Sequence, residues 1–190
     1  MSARTLSAAV VAAAALLISP AAAQAKTPKA KVSAAPITCA NTDLLPTADN
    51  VEQIRAAVLC LHNQIRQQHN LPLLKDNAKL RKAGTTHSNE MVDEGYFDHT
   101  APDGTTFVDR ILGARYAKRN GDWTIGENLA WGTGDLSTPA GVMQAWMNSS
   151  GHKANILKRS YRELGIGIRL GTPSDAGVGA TFSAEFGARS

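Results

Sequence analysis

The sequence predicts an α+β fold in which helices pack on a sheet that includes a C-terminal antiparallel hairpin. Apolar residues recur at helical spacing in the first half of the chain, whereas they alternate with other residues in two segments near its end. A chain of 190 residues with 43% hydrophobic and 19% charged residues is typical of one soluble globular domain. Helices combined with such a hairpin favour helices packed on a sheet.

The first predicted helix runs from residue 51 to about residue 68, and Asp49 or Asn50 can cap it. Its apolar face consists of Val51, Ile54, Val58, Leu61 and Ile65. The second runs from about residue 77 to 94, with His87 on its apolar face. Gly84 lies inside this helix and costs about 1 kcal/mol relative to Ala, unless a neighbour packs closely against the bare backbone.

Shorter elements follow. We expect a short helix near residues 107–112, a polar, glycine-containing loop over 118–126, and a helix from Pro139 that Gly151 can end. Alternation over residues 164–170 and again over 178–184 predicts two strands. The segment between the two strands is rich in Gly, Pro, Ser and Asp, which predicts the hairpin.

Residues 1–25 have the layout of a secretory signal peptide, with Arg4 before an apolar run over 8–18 and a small-residue cleavage site after Pro20. The alternative is a membrane anchor, but eleven residues span about 16 Å, roughly half of a bilayer core. We therefore expect a secreted protein whose mature chain has no transmembrane segment. Residues 26–38 should form a flexible linker, and residues 39–190 the folded domain.

Cys39 and Cys60 are the only cysteines. Export makes a disulfide between them the default expectation, because disulfides persist in oxidising compartments. Closing this loop would stabilise the fold by about 3 kcal/mol.

The charge distribution excludes a nucleic-acid partner. The formal net charge is +4, but residues 1–38 hold four of the 20 Lys and Arg and none of the 16 Asp and Glu, leaving 16 of each sign from Cys39 to Ser190. The folded part is formally neutral, so it lacks the basic excess expected of a DNA-binding domain.

Three residues are candidates for a site. His99 and His152 each follow a helix-ending signal in a loop, where binding groups concentrate. Glu127 lies at the border between polar and apolar segments, where a carboxylate is often buried with a partner or functional. His62 and His69 are interpreted as surface residues. His87 is interpreted as a packed structural histidine, with an HxxE metal-ligand spacing to Glu90 as the alternative.

Four motifs carry a family resemblance: YFDHTAPDGTTFVDR, TIGENLAWG, QAWMNSSGHKANIL and ELGIGI, in this order. Together they resemble the CAP superfamily of cysteine-rich secretory proteins, antigen 5 and plant pathogenesis-related proteins, in its short bacterial extracellular branch. The resemblance covers residues 61–187. It implies a three-layer α-β-α sandwich with a central antiparallel sheet.

The resemblance also implies a cleft lined by His99, Glu127 and His152. Relatives place a second Glu three residues after the tryptophan that corresponds to Trp146, where this chain has Ser149. His99 and His152 could hold Zn²⁺, with Glu127 orienting a water or acting as a base. A two-histidine site should be weak, and Asp98, Asp103 or His87 would replace the missing carboxylate only if the geometry allows it.

The sequence favours a secreted, monomeric binding module over an enzyme. Its cleft would take a lipid-like, envelope or metal ligand, by analogy with lipid-binding members of the family. One alternative is a weak metal-dependent hydrolase of an extracellular peptide or cell-wall substrate, which the missing second Glu disfavours. The other is an extracellular scaffold that binds a protein partner.

Overall fold

The computed structural model describes residues 35–189. The predicted signal peptide and residues 26–34 of the predicted linker lie outside this part of the chain. The helices are α1 Val51–Gln68, α2 Ala78–Asp93, α3 Phe107–Gly113, α4 Pro139–Asn148 and α5 Ser150–Ile156. The strands are β1 Lys75–Asp76, β2 Trp123–Thr133, β3 Glu163–Leu170 and β4 Gly179–Arg189, and a 3-10 turn covers Gly134–Ser137.

The four strands form one mixed sheet in the order β1-β3-β4-β2. β4 pairs antiparallel with both β3 and β2, so the predicted C-terminal hairpin is confirmed. Only the two-residue β1 is parallel to its neighbour β3. Helices α2 and α3 cover one face of the sheet, and α1, α4 and α5 cover the other. The α+β sandwich expected from the sequence is therefore confirmed.

The larger core lies on the face that α1, α4 and α5 cover. It is fully apolar along β3 and β4, because every second residue of these strands points into it. Its strand residues are Leu164, Ile166, Ile168, Ala180, Phe182, Ala184 and Phe186. Trp146 of α4 is buried against them, and its indole Nε1 donates to the backbone carbonyl of Leu129 at 2.9 Å.

Helix α2 lies unusually close to the opposite face. A Cβ atom on Gly84 would lie 2.7 Å from the carbonyl oxygen of Ser183 and 3.0 Å from the backbone nitrogen of Gly167. The helix interior therefore contains glycine because the sheet backbone occupies the space of a side chain. The condition for a glycine inside this helix, a neighbour packed closely against the bare backbone, is therefore met.

The entering chain is fastened to α1. Cys39 and Cys60 form the predicted disulfide. Residues 35–38, at the end of the predicted linker, hydrogen-bond with two glutamines of α1: Gln64 donates to the carbonyl of Ile37 at 2.7 Å, and Gln67 accepts from the Ile37 N–H at 2.8 Å. The disulfide and these hydrogen bonds hold the segment before α1 against that helix.

Three local predictions were wrong. The loop expected over 118–126 ends earlier, because β2 begins at Trp123 and pairs with β4 along its whole length. The helix from Pro139 ends at Asn148, and Gly151 lies inside the next helix, α5. His62 is not a surface residue: it is fully buried against Trp146 and Phe186, and its Nδ1 hydrogen-bonds to the Val58 carbonyl at 2.8 Å.

Candidate functional site

Glu127 is the centre of a buried polar cluster on the α2 face of the sheet. Its side chain is 1% exposed, and each carboxylate oxygen has its own partner. His99 Nδ1 donates to Oε1 at 2.7 Å, and Arg110 Nη2 donates to Oε2 at 3.0 Å. Arg110 is 3% exposed, so the two opposite charges are buried as a pair.

Local sequence features place these partners. Glu127 lies in the middle of β2, where the strand alternation turns it toward α2. The loop that carries His99 is closed by turn hydrogen bonds in which the Asp98 and Asp103 carboxylates accept from the Thr100 and Thr105 N–H groups. These two aspartates therefore serve the loop and do not replace the missing family carboxylate.

Arg110 joins the loop to the strand. Helix α3 begins with a capping box between Thr106 and Asp109, which fixes the turn from which Arg110 projects. Besides Glu127, Arg110 donates to the carbonyl oxygens of His99 at 2.7 Å and Thr105 at 3.1 Å. One guanidinium thus holds the His99 loop in place relative to β2.

A second carboxyl group does lie beside Glu127, but it comes from β4. Glu185 is the direct cross-strand partner of Glu127 and is fully buried. Ser183 Oγ donates to Glu185 Oε1 at 2.9 Å and lies 3.4 Å from Glu127 Oε2. Gly84 of α2 packs over this pair, since a Cβ there would lie 3.3 Å from the Cγ of Glu185.

Burial and the charge of Glu127 raise the pKa of Glu185 well above its usual value, which favours its protonated form. Burial also acts to raise the pKa of Glu127, but hydrogen bonding to His99 and Glu185 outweighs it and lowers this pKa. The hydrogen bond to Glu127 raises the pKa of His99. These shifts favour an ionised Glu127 beside a protonated Glu185, with Arg110 and His99 as the partners of the Glu127 carboxylate.

His87 is the packed histidine that the sequence favoured. Its ring is fully buried, and Nε2 donates to the carbonyl of Asp98 at 3.0 Å. Burial lowers the pKa of His87 to about 4, so the ring is neutral and Nδ1 can accept from the Tyr96 hydroxyl, 3.4 Å away. Glu90 is 3.7 Å from Nδ1, and Glu127 is 3.8 Å from Nε2.

His152 lies at the edge of this cluster and does not touch Glu127. The loop that the sequence predicted at His152 is wrong, because this residue lies inside α5. It is half-buried and borders an open groove of about 250 Å³ at the edge strand β2, together with Phe97, Trp131 and Ser149. Burial and the nearby positive charge of His99 lower the pKa of His152. Within residues 35–189 its ring has no hydrogen-bond partner.

A resident zinc ion does not fit these donors. Each histidine can supply one ring nitrogen, which for His99 is Nε2 because Nδ1 donates to Glu127, so the two histidines together supply only two ligands. Most zinc hydrolases hold the metal with three protein ligands. Residues 35–189 contain no group of three or more His, Cys, Asp or Glu side chains placed to hold a metal.

The structure thus brings together His99 and Glu127 directly, with His152 near enough for the charge of His99 to act on it. Sequence reasoning missed Arg110 and Glu185. The strand alternation over 178–184 carried a signal for Glu185, because it turns this residue away from the apolar core. The sequence did not show that β4 pairs with β2, and only that pairing places Glu185 beside Glu127.

Both the sequence and the fold of this chain are similar to those of known proteins. Residues 59–182 match the CAP family, described as the cysteine-rich secretory protein family. The chain is 36% identical over 138 residues to the uncharacterized protein YkwD of Bacillus subtilis, covering 71% of this chain and 50% of YkwD. It is 31% identical over 111 residues to the uncharacterized membrane protein YlbC of the same organism, covering 58% of this chain and 30% of YlbC.

Among solved structures, the fold is similar to an extracellular SCP-domain protein of Bacillus anthracis, with a TM-score of 0.59 and 29% identity over 74% of this chain and 43% of that one. The chain spans half or less of each of these relatives. Within residues 35–189, no helix is both long and apolar enough to cross a membrane. With its sequence match and its sandwich fold, this chain belongs to the CAP family of cysteine-rich secretory proteins.

Proposed function

We propose that this protein is a secreted binding module whose ligand lies in the groove bordered by Phe97, Trp131 and His152, without catalysis by Glu127. The proposal rests on the hydrogen bonds that both oxygens of the Glu127 carboxylate make. Both of its oxygens are held by buried partners, and its side chain is 1% exposed. A general base must reach the proton that it removes, whereas this carboxylate holds the site together.

The accessible side chains suit binding. Phe97 is 44% exposed and Trp131 is 39% exposed, and both border the groove. The imidazole of His99 is half exposed and leaves Nε2 free to hydrogen-bond a ligand. Aromatic surface with a few polar groups is typical of small-ligand sites, and about 250 Å³ suits one ring or a short acyl segment.

Secretion of this chain rests on the predicted signal peptide over residues 1–25 and on the similarity to an extracellular relative. The ligand would accordingly be an envelope component or a lipid-like molecule. The hydrolase hypothesis gains no support from the cluster, because the second carboxyl group, Glu185, is buried under α2. An extracellular scaffold that binds another protein through Phe97 and Trp131 is the remaining alternative.

Amide chemical-shift mapping tests the proposal on the purified protein. Decanoate and an N-acetylglucosamine tetramer serve as probes of the lipid-like and the envelope ligand. We expect one probe to shift the signals of Phe97, Trp131 and His152, and the shifts to disappear in Trp131→Ala. Leu136→Ala is the matched control, because this apolar residue is 65% exposed and lies outside the groove.

Shifts that persist in Trp131→Ala, or the absence of shifts with both probes, would contradict the assignment of the groove. Turnover of a peptide or cell-wall substrate that disappears in Glu127→Gln while the melting temperature is unchanged would instead establish the hydrolase.

A further inference from the structure

A second, larger groove lies at the other end of α2, away from the His99 cluster. It measures about 600 Å³ and lies between the start of α2, the chain after α3, and the ends of β2 and β4. Four cations line it, with one carboxylate, Asp122. The cations are Lys79, Arg115, Lys118 and Arg189.

The cations of this groove are largely uncompensated. Within residues 35–189, Lys79, Arg115 and Lys118 have no ion pair, and all three are exposed. Arg189 is held over the ring of Tyr116, 4.7 Å from its centroid, and is only 3.6 Å from Glu163. Its guanidinium is therefore oriented before any ligand arrives.

The charged residues at the two ends of α2 are not those that stabilise a helix. Acidic residues are favoured in the first turn of a helix and basic residues in the last, because they complement the helix dipole. Here the first turn contains Lys79 and no acid, and the last turn contains no basic residue, with Asp93 at its end. Helix stability therefore does not explain the basic end, whereas an anionic ligand would, because Lys79 adds to the positive potential of the helix N-terminus.

The basic surface is longer than one small molecule. A neighbouring groove of about 350 Å³ contains Lys75, Arg162 and Glu163, and Arg189 borders both grooves. The two grooves form a continuous surface that we call the basic strip. The half-buried indole of Trp123 lines it, and its Nε1 is fixed by a hydrogen bond to the Lys118 carbonyl at 3.0 Å. An indole face beside cations suits a ring that bears an anionic group.

We propose that the basic strip binds an anionic polysaccharide, through carboxylate or phosphate groups on successive sugars. The choice of a polysaccharide rests on the proposed secretion. It also rests on the balanced charge of residues 39–190, because a nucleic-acid surface would carry a larger basic excess. The ligand is held by ion pairs along the strip, with one sugar ring against Trp123.

Titration calorimetry at low salt tests this on the purified protein. The probes are an oligogalacturonate, which bears carboxylates, and a poly(glycerol phosphate) oligomer, with neutral maltotetraose and an oligothymidylate of similar length as comparisons. We expect binding to one or both of the first two probes and none to maltotetraose. The stronger of the two shows whether the anion is a carboxylate or a phosphate.

The test variant is the double substitution Lys79→Gln, Lys118→Gln, which changes two exposed side chains without ion pairs. The control is Lys153→Gln, Arg159→Gln, which removes the same charge from exposed positions outside the strip. We expect the first variant to weaken binding at least tenfold and to reduce its salt dependence, and the control to change the affinity less than twofold.

Equal losses in both variants would overturn the proposal in favour of non-specific charge attraction. Tighter binding of the oligothymidylate than of either polyanionic probe would overturn it in favour of nucleic acid, and no binding of any probe would remove the site. None of these three outcomes bears on the Phe97–Trp131 groove, because the basic strip shares no lining residue with it.

Discussion

Strand β4 presents two chemically opposite faces. Phe182, Ala184 and Phe186 point into the apolar core beneath α1 and α4, whereas Ser183 and Glu185 point toward α2 and join the cluster around Glu127. The first face stabilises the fold by removing apolar surface from water. The second face packs against the buried ion pair of Glu127 and Arg110, which fixes the position of the His99 loop at some cost in desolvation. Because side chains alternate along β4, one face of the strand stabilises the fold and the other helps to position the His99 loop.

Substitution on the apolar face should have the largest effect. Phe186 is fully buried, stacked on Tyr161 with ring centroids 5.2 Å apart and near His62. We expect Phe186→Ala to lower the free energy of unfolding by about 4 kcal/mol, because it removes buried contacts and leaves a cavity. Urea denaturation measures the change. The exposed control Leu136→Ala should stay within about 0.5 kcal/mol, and a similar loss in both would show that the core does not depend on Phe186.

Substitution at the centre of the polar face should come next. Glu127→Ala leaves Arg110 buried without its charge partner, so we expect a loss of about 3 kcal/mol of unfolding free energy. The loss should fall at the low end for a broken buried pair, because the change also removes the desolvation cost of the buried Glu127 carboxylate. Urea denaturation and probe binding in the same samples compare the two roles of Glu127.

The double variant Glu127→Ala, Arg110→Met removes both buried charges and should recover part of that stability. No recovery would show that Arg110 is not destabilised by the loss of Glu127. Unchanged stability of the single variant with complete loss of a measured activity would contradict the structural role of the carboxylate.

The difference between the faces also explains how much the sequence could predict. Helices α1 and α2 follow from local apolar periodicity, and the C-terminal hairpin follows from alternation. The first half of β2 contains Thr124, Gly126 and Glu127, so its strand character depends on pairing with β4, which is distant in sequence. Local pattern therefore predicted a loop where the sheet forms a strand.

The same reason limited the prediction of the site. His99 and Glu127 were found from motifs, because their neighbours along the chain mark a loop and a border. Glu185 reaches Glu127 only through strand register, and His62 is buried only because α4 brings Trp146 onto it. A single sequence shows the alternation within each strand, but it does not show which strands lie next to each other in the sheet.

The raised pKa of Glu185 predicts a moderate, pH-dependent effect on stability. The pKa of Glu185 is raised in the folded state above its unfolded value near 4.5, so the folded protein binds the extra proton. The contribution to stability is present below pH 4.5 and is lost as the pH rises toward the folded pKa, by at most about 1.4 kcal/mol per pH unit. Glu185→Gln mimics the protonated form and removes this loss.

We therefore expect the stability of Glu185→Gln relative to the wild type to increase from pH 5 to pH 8, as followed by thermal and urea unfolding. His99 is present in both proteins, so its own titration cancels in the difference. A constant difference over this range would show that Glu185 is ionised in the folded protein.

Substitution of His99, the exposed member of the cluster, should have the smallest effect on the free energy of unfolding. The hydrogen bond to Glu127 raises the pKa of His99 above 6.5 in the folded state, while half of the ring is in solvent. The stabilisation from protonated His99 is fully present below pH 6.5 and is lost as the pH rises through the folded pKa. Because solvent screens the pair, we expect His99→Ala to cost less than about 1 kcal/mol at pH 5.5 and still less at pH 9.

Added salt should reduce the cost of His99→Ala at pH 5.5, since screening weakens a partly exposed ion pair. His69→Ala, at an exposed histidine outside the cluster, is the matched control and should stay within about 0.5 kcal/mol at both pH values. A cost for His99→Ala that matches Glu127→Ala would place His99 among the groups that hold the fold. A small loss of stability would support a binding role for His99, in which its free Nε2 hydrogen-bonds a ligand.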